Sequence, residues 1–572
     1  STIGGAIRLV PKWMDDSWQN PLCPTHASRQ TASLPLAERG LARYVRLHMK
    51  YPLQTLVHVL AAICMVSAVH AQDGAAAQSS SKVVSGFTLH FDSSAFAEGT
   101  KSDFSGEVFV AFAEEGEPRD AAHQWFGAPP ILRFDLKDAK QGDVIELTLE
   151  DALSMDPAAS SSVWQGESNR EWRVQAFARF SRTGREAGRS AGDVFSEVRS
   201  IRFAPGTEGA LELHLDHIAV EAPLAETDQV RLFKFTSPAL SKFYGFKYSM
   251  RAGVLLPKDY DPGKKYPVIY SVTGFGSTHH RILAWERRAS KGGALENCIV
   301  VVPDANHRLG HSVFCDSESV GPWGQALVYE LIPALEKEYG GAGAAQRYVT
   351  GVSSGGWSSL WLQVTYPEEF NSCWSHVPDP IDFHDFQQIN LYEPLEDGSP
   401  RNMYVDEDGN PRGLARRNGE VMLHYKEFAQ REHVLNPGGQ IRSFDATFSP
   451  LGEDGQPRRV FDIETGVIDH EAVKAWRKYD ISNTLLTGWA ELQPRLKGKI
   501  HVYAGAEDTF YLEGAVERFQ GLAREAGMLE DMVIEVVPGM PHTQYEVGFE
   551  AMLERIRKDA SLPLPEPVKS EH

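Results

Sequence analysis

The sequence predicts an α/β domain with a mainly parallel central sheet, preceded by a smaller, all-β domain that resembles a sandwich. In residues 228–560, short apolar runs alternate with amphipathic helical stretches, which is the pattern of parallel strands covered by helices. In residues 85–227, short strand-like runs are separated by turn-rich, charged stretches without a long amphipathic helix. The chain has 572 residues, enough for two or more domains of roughly 100–200 residues each.

Composition excludes several classes of protein. Hydrophobic residues make up 42% of the chain and charged residues 23%, which excludes wholesale disorder and a multi-span membrane protein. The chain carries 57 Lys and Arg against 77 Asp and Glu, a net charge of −20, so we expect no nucleic-acid partner. Five cysteines in this length exclude a disulfide-framework scaffold.

Residues 49–71 have the form of a secretory signal peptide. Lys50 precedes an apolar stretch that is shorter than the roughly 20 residues a membrane span needs, and small residues precede Gln72. We expect cleavage before Gln72, a secreted or periplasmic protein, and no stable membrane insertion afterwards; an uncleaved anchor is the alternative. We interpret residues 1–48 as an upstream extension outside the fold, 72–84 as a linker and 561–572 as a tail.

The apolar runs place the expected strands and helices in order. In the all-β domain, strands are expected at residues 87–91, 108–112, 144–149, 174–180 and 211–220. In the α/β domain, strands are expected at residues 251–256, 268–273, 299–302, 348–352, 373–377, 500–503 and 533–537. Helices are expected at residues 323–339, 356–366, 512–526 and 545–556. Residues 378–485 are rich in Gly, Pro and charge, and we interpret them as an insertion over one end of the sheet.

A Gly-x-Ser-x-Gly motif centred on Ser353 lies between an expected strand and an expected helix. In that frame the motif forms a sharp turn that projects the serine hydroxyl above the sheet, and flanking glycines avoid a clash there. The backbone N–H of Ser354 then lies at a helix N-terminus and can stabilise an oxyanion. Ser190 has the same motif in a polar, charged loop without this frame, so we assign it to a flexible loop.

A catalytic serine needs a base and an acid that orients the base. His542 follows the expected strand 533–537, and the only other histidine beyond Asp508 is the terminal His572, so His542 is the candidate base. Asp508 follows the expected strand 500–503 and is the candidate acid. Glu507 and Asp379 are the alternatives for that role.

The glycine-rich turn 274–277 follows an early strand and is the candidate second half of an oxyanion hole, with Phe275 or Gly276 as the N–H donor. The sequence does not choose between these two donors. An ordinary strand-to-loop turn is the alternative interpretation.

Four histidines cluster in sequence, at positions 279, 280, 307 and 311. Their spacing matches no standard metal site, so we expect no metal and interpret them as pocket-lining or surface residues. His279 and Trp323 are the candidates for lining a substrate pocket, although a core position is at least as compatible with a tryptophan that starts a helix.

Residues 245–560 resemble the esterase D branch of the α/β-hydrolases, a family also named "Putative esterase", which includes feruloyl and enterochelin esterases. The matching segments are residues 266–270, 273–276, 300–304, 330–334, 351–356, 505–508 and 538–542. The resemblance implies an α/β-hydrolase fold and a Ser353–Asp508–His542 triad that needs no cofactor. Relatives usually carry His where this chain has Thr273, so the shape of the oxyanion loop does not carry over, and neither does the substrate.

The expected function is a secreted serine hydrolase that acts on carboxylic esters, such as acylated carbohydrates, through an acyl-enzyme. Its expected partner is a small-molecule or polysaccharide ester. The alternatives are a prolyl-oligopeptidase-like peptidase, an acyltransferase on the same fold, and an exported carbohydrate-binding protein without activity. The all-β domain is either a carbohydrate-binding module or a packed accessory domain.

Overall fold

The computed structural model describes residues 86–92, 103–154, 171–202, 210–291 and 294–561. The expected upstream extension, signal peptide and linker, and residues 562–572 of the expected tail, lie outside these ranges. Contacts between Cα atoms group Val83–His572 into one unit. Within the described ranges, no helix is both long enough and apolar enough to cross a membrane.

The N-terminal region contains two β-sheets. Its strands are β1 Gly86–His90, β2 Asp103–Ala113, β3 Ile131–Lys140, β4 Val144–Leu147, β5 Glu171–Ala178, β6 Val194–Phe195, β7 Arg199–Arg202, β8 Ala210–His214 and β9 His217–Ile218. One sheet has the order β4-β1-β8, and the other has the order β3-β2-β5-β6-β9 with β7 beside β5. A short helix, α1 Pro118–Ala121, lies between β2 and β3.

Side chains that point alternately to the two faces of each sheet place every second residue in a core between the two sheets. Phe87 and Leu89 of β1 share one buried cluster with Val108 and Val110 of β2. The intervening residue Phe109 lies on the opposite face of the larger sheet, as the period of two along a strand requires. The predicted sandwich-like region is therefore confirmed, although β3, β6 and β7 were not predicted and the expected strand 211–220 is two short strands, β8 and β9.

The α/β region is built on an eight-stranded central sheet. Its strands are β10 Val230–Thr236, β11 Ser249–Leu255, β12 Val268–Val272, β13 Ile299–Pro303, β18 Arg347–Ser353, β19 Ser372–Pro378, β22 Ile500–Gly505 and β23 Met532–Val537. Six further strands form three separate two-stranded sheets: β14 Asn306–His307 with β15 Gly310–His311, β16 Asp316–Ser317 with β17 Gly321–Pro322, and β20 Gly413–Arg417 with β21 Glu420–His424.

The strand order of the central sheet is β10-β11-β13-β12-β18-β19-β22-β23. β10 and β11 pair antiparallel, and the other six strands are mutually parallel. This arrangement confirms the predicted α/β-hydrolase fold with a mainly parallel sheet. The carboxyl ends of the parallel strands meet at one edge, where active sites of such sheets lie.

Helices cover both faces of this sheet. Within the described residues, the α-helices of the α/β region and its insertion are α2 Pro238–Tyr244, α3 Ile282–Ala289, α4 Trp323–Gln325, α5 Ile332–Tyr339, α6 Ser354–Thr365, α7 Tyr425–Leu435, α8 Gln440–Phe448, α9 His470–Val473, α10 Ile481–Leu496, α11 Glu513–Glu525 and α12 Glu546–Ala560. A π-helical segment, Ala326–Leu331, joins α4 to α5, so the predicted helix 323–339 is continuous. α10, which spans the expected end of the insertion at residue 485, packs on α6.

The insertion packs against the N-terminal region through buried contacts. Val434 of α7 joins Phe109 and Phe177 in one apolar cluster. Arg431 of α7 donates hydrogen bonds to the carbonyl oxygens of Pro129 and Ala122, at 2.8 and 2.9 Å. These contacts hold the connection between β2 and β3 beside the insertion.

Candidate active site

The turn at Ser353 is strained in the way the motif predicts. β18 ends at Ser353 and α6 begins at Ser354, and Ser353 has φ 62° and ψ −129°. A positive φ is costly for a residue with a β-carbon and persists where the surrounding structure enforces it. A Cβ on Gly351 would lie 2.2 Å from the carbonyl oxygen of Gly355, and a Cβ on Gly355 would lie 2.0 Å from that of Val272. Only glycine fits these two positions, as the sequence analysis expected.

His542 and Asp508 form a hydrogen-bonded pair at the same edge of the sheet. The Nδ1 atom of His542 lies 2.8 Å from Oδ2 of Asp508, whose side chain is 1% exposed. The other carboxylate oxygen, Oδ1, accepts the backbone N–H of Phe510 at 2.8 Å. Arg416 of the insertion donates to the carbonyl oxygen of Asp508 at 2.9 Å and so holds the turn that carries the acid.

The charges around His542 favour its protonated form. Burial lowers the pKa of the imidazole, but the charge and hydrogen bond of Asp508, together with the charge of Asp379, outweigh it and raise the pKa above its ordinary value of 6.5. An imidazole with a raised pKa accepts a proton readily, and it is neutral only at a pH above its own pKa.

Asp379 follows β19 and lies beside the serines. Its Oδ2 atom accepts the hydroxyl proton of Ser354 at 2.6 Å, and its carboxylate is also hydrogen-bonded by Ser353. Gln440, at the start of α8 in the insertion, donates to the Ser354 hydroxyl oxygen at 3.1 Å. Burial raises the pKa of Asp379 to about 6 although these bonds and His542 lower it. The hydrogen bond to His542 belongs to Asp508, whereas Asp379 contacts the serine side of the site.

The glycine-rich loop after β12 lies against the nucleophile turn. A Cβ on Gly274 would lie 3.2 Å from Cβ of Ser353, and Gly276 has φ 85°. The loop closes as a turn in which Ser277 N–H donates to the carbonyl oxygen of Gly274 at 3.2 Å. The N–H of Ser277 is thus occupied by the turn, and the two candidate donors of the sequence analysis, Phe275 and Gly276, stay predictions.

His311 supports this loop from behind, a role that the sequence analysis missed. Its Nε2 atom lies 3.1 Å from the carbonyl oxygen of Thr273, and its Nδ1 atom accepts the N–H of Val313 at 3.1 Å. Nε2 is therefore the protonated nitrogen and donates to Thr273. Burial lowers the pKa of His311 to about 4, so it stays neutral at physiological pH.

Aromatic rings from three parts of the chain meet next to the base. Phe510 stands edge-on to the His542 ring with centroids 4.9 Å apart, and Trp125 stands edge-on to Phe510 at 5.6 Å. Phe428 of α7 lies 4.6 Å from Trp125, and Phe275 of the glycine-rich loop lies 6.2 Å from it. We call these four phenyl and indole rings the aromatic wall; Trp125 comes from the N-terminal region and Phe428 from the insertion.

Both predicted pocket residues are core residues in the structure. Trp323 is 1% exposed and packs against Tyr248 and Phe314. His279 is also 1% exposed, and its Nδ1 atom lies 3.0 Å from Oδ2 of Asp304. Neither position supports contact with a substrate, because the side chains are enclosed by the fold.

Two further expectations are corrected by burial. His307 and His311 are each 1% exposed, so the interpretation of these residues as surface histidines is wrong. Ser190 is part-buried in an ordered loop, where its hydroxyl donates to the carbonyl oxygen of Glu186 at 2.7 Å. The expected flexible loop is thus held by internal hydrogen bonds, and Ser190 has a backbone partner instead of a histidine.

Comparison with known proteins identifies a family. A family model described as "Putative esterase" matches residues 245–556, which is more than half of the chain. No curated protein matches the sequence.

Solved structures similar to this chain include three hydrolases. A ferulic acid esterase is 16% identical over 58% of this chain and 98% of its own, with a TM-score of 0.36. The fluorophosphonate-binding serine hydrolase F of Staphylococcus aureus is 12% identical over 58% of this chain and 98% of its own, with a TM-score of 0.35. An S-formylglutathione hydrolase from Agrobacterium tumefaciens is 16% identical over 58% of this chain and 94% of its own, with a TM-score of 0.33.

Proposed function

This chain belongs to the family named "Putative esterase", and from that membership we propose that it is a serine hydrolase of carboxylic esters. The observation that carries the proposal is the 2.8 Å hydrogen bond between His542 and Asp508 at the sheet edge where Ser353 occupies its strained turn. A nucleophile, a base and an orienting acid after the carboxyl ends of β18, β23 and β22 are the parts that acyl transfer needs.

The proposed reaction begins with proton transfer from Ser353 to His542. The Ser353 Oγ atom attacks the ester carbonyl carbon, and the N–H of Ser354 with one N–H of the 274–277 loop holds the negative oxygen. His542 then gives its proton to the departing alcohol, which leaves an acyl-enzyme. Water, deprotonated by His542, attacks this ester, and the carboxylic acid leaves as Ser353 regains its proton. Asp508 keeps Nδ1 of His542 protonated so that the other ring nitrogen acts as the base.

The aromatic wall supports a proposal about the acyl group. Trp125 and Phe510 are part-exposed rings beside His542, and Phe428 and Phe275 are buried behind them. Rings in offset or edge-on packing gain about 0.5–1.5 kcal/mol per pair beyond their buried area. The wall therefore favours an ester with an aromatic acyl group over an acetate; acylated carbohydrates with such a group fit this site.

Trp125→Ala tests the wall together with the activity. The wild-type protein is expected to hydrolyse 4-nitrophenyl cinnamate with a higher kcat/KM than 4-nitrophenyl acetate. Removal of the indole is expected to lower kcat/KM for the cinnamate by roughly 10–100-fold, because hydrophobic contacts of this size discriminate by that much. The acetate, which does not reach the wall, is expected to change less than about twofold.

Trp489→Ala is the matched control, since Trp489 is a part-exposed tryptophan on α10, away from the wall. It is expected to leave both esters unchanged. An equal loss on both esters in Trp125→Ala would indicate a structural role for Trp125 and contradict the acyl-group assignment. Absence of hydrolysis of every ester by the wild-type protein would contradict the proposed function itself.

We also propose export through the segment 49–71. The charge, short apolar stretch and small residues of this segment support it. N-terminal sequencing of protein from the medium or periplasm is expected to start near Gln72. Recovery of the protein only from the cytosol, with residues 49–71 still attached, would contradict export.

A further inference from the structure

Three ionisable side chains meet on the outer face of the N-terminal sheet β4-β1-β8. β1 and β8 pair in parallel with His90 directly opposite His214, and Glu212 opposite Thr88. Leu89 precedes His90 on β1, and Leu213 lies between Glu212 and His214 on β8. Both leucines are fully buried in the sandwich core. Because side chains alternate along a strand, the two imidazoles and the carboxylate share the face that looks away from that core.

The side chains converge on a small volume. The rings of His90 and His214 stack with centroids 4.2 Å apart and planes 8° apart. Nε2 of His90 contacts Oε2 of Glu212. One nitrogen or oxygen from each of the three residues lies within 4.8 Å of the other two. Ligands of a tetrahedral zinc ion are about 3.3–3.5 Å apart, given Zn–N and Zn–O bonds of about 2.0–2.1 Å, so the imidazole rings would rotate out of the stacked arrangement to bind one.

We propose that His90, Glu212 and His214 bind a divalent transition-metal ion of the zinc type. Two imidazoles and a carboxylate are ligands that such an ion takes, and three protein ligands leave a fourth position for water. Calcium and magnesium prefer sites made of oxygen atoms alone.

Asp92 supplies the contact that metal-bound histidines require. Its Oδ2 atom lies 3.0 Å from Nδ1 of His214. A carboxylate that accepts the proton of one ring nitrogen leaves the other nitrogen free to bind metal and fixes the ring orientation. Asp92 is therefore a positioning residue for the ligand His214.

The surrounding charge also favours a cation. Strands β1, β4 and β8 contain neither Lys nor Arg, while Glu146 of β4 is paired with Thr88, in the same row of the sheet as Glu212. A bound divalent ion would therefore meet no cationic side chain on these three strands.

The described residues contain two other groups of potential metal ligands, and each of these groups already contacts a positively charged side chain. The first group is Glu221, His279 and His280. Arg251 forms ion pairs with Glu221 and with Asp304 beside this group, so its guanidinium already provides a positive charge there. In the group around Asp382, the carboxylate accepts from the N–H and Nδ1 of His384 and from the hydroxyl of Ser482. Arg518 also lies 3.3 Å from Oδ2 of Asp382, so an arginine already supplies positive charge to each of these two groups.

The ion would join strands that are far apart in sequence. His90 and Glu212 are separated by 122 residues, and a crosslink over so long a loop restricts the unfolded chain more than the folded one. We assign the site to stability of the N-terminal region and not to the proposed ester reaction.

The test is zinc binding to the full chain, without an affinity tag and freed of metal by EDTA and dialysis. Isothermal titration with zinc chloride is expected to show saturable binding at one ion per chain, and the thermal midpoint is expected to rise with zinc. His90→Ala and His214→Ala are expected to remove both effects, and Asp92→Asn is expected to weaken binding about 10–100-fold. His217→Ala, which changes an exposed histidine on β9 of the other sheet, is expected to bind like the wild-type protein.

Glu212→Gln separates a lost ligand from a lost fold, because the amide keeps the size of the side chain. It is expected to keep the metal-free thermal midpoint and to lose the zinc-dependent rise. Absence of saturable binding in the wild-type chain would overturn the proposal. Binding that persists unchanged in the His90→Ala and His214→Ala chains would also overturn it, since the ion would then lie elsewhere.

Discussion

Replacement of Ser353 with alanine is expected to lower kcat for ester hydrolysis by roughly 10³–10⁶-fold. The substitution removes the atom that attacks the carbonyl carbon, so only substrate binding and the oxyanion hole continue to accelerate the reaction. The measurement is steady-state hydrolysis of 4-nitrophenyl esters by the purified variant. Its thermal midpoint shows whether the fold is retained.

Ser190→Ala is the internal control, because Ser190 carries the same Gly-x-Ser-x-Gly motif in a different frame. Its hydroxyl bonds to the carbonyl oxygen of Glu186 at 2.7 Å, in the N-terminal region. The variant is expected to change kcat/KM less than about twofold and to lose roughly 1 kcal/mol of unfolding free energy, which is the net value of one hydrogen bond.

A fluorophosphonate probe separates the two serines without a substitution. It reacts with a serine that is activated by a neighbouring base, so the label is expected on the tryptic peptide that contains Ser353. A label on the peptide of Ser190, or an active Ser353→Ala protein, would contradict the placement of the active site in the α/β region.

The frame of Ser353 was predictable because it depends on local sequence. An apolar run, a tight turn of small residues and a helical run are adjacent in the chain, and glycines at 351 and 355 are required by contacts of 2.2 and 2.0 Å with the backbone. The position of His542 at this edge of the sheet was predictable for a similar reason, since it lies in the loop that follows the apolar strand β23. The strands of the central sheet from β11 onward were likewise predicted, because each contains a short apolar run, and in β12 and β13 this run is buried on both faces.

The parts that the sequence did not predict depend on contacts between distant segments. Trp125 and Phe428 are about 300 residues apart and meet only because α7 packs on the N-terminal region. α8 was not predicted because it carries a buried acid of its own: Asp445 is 1% exposed and forms an ion pair with Arg442 of the same helix. A buried acid in this role interrupts the apolar period that predicts a helix.

Asp508→Asn is expected to lower kcat by about 10⁴-fold, the loss typical of an orienting aspartate in a serine triad. The amide cannot accept the Nδ1 proton of His542 with the strength of a carboxylate, so the ring adopts the tautomer in which the nitrogen facing Ser353 is already protonated. The side chain keeps its size in a site where it is 1% exposed, so the fold is expected to tolerate it. The measurement is kcat at pH 8, with the thermal midpoint as a check on folding.

Asp379→Asn distinguishes the two buried acids of the site, because Asp379 contacts the serines and Asp508 contacts the base. The loss of kcat is expected to be below about tenfold, with an effect mainly on pH dependence.

In the wild-type protein, kcat/KM is expected to fall tenfold per pH unit below a midpoint above 6.5, since only neutral His542 accepts the proton and its pKa is raised. The charge of Asp379 contributes to that rise, so its removal is expected to move the midpoint to lower pH.

Glu507→Gln is the matched control for charge, because Glu507 adjoins Asp508 in sequence but is exposed, where water and salt screen it. It is expected to keep both kcat and the midpoint of the pH profile. A loss in Asp379→Asn as large as that in Asp508→Asn would make Asp379 a member of the catalytic group and contradict the assignment of Asp508 alone. An unchanged midpoint in Asp379→Asn would contradict the contribution of the Asp379 charge to the raised pKa of His542.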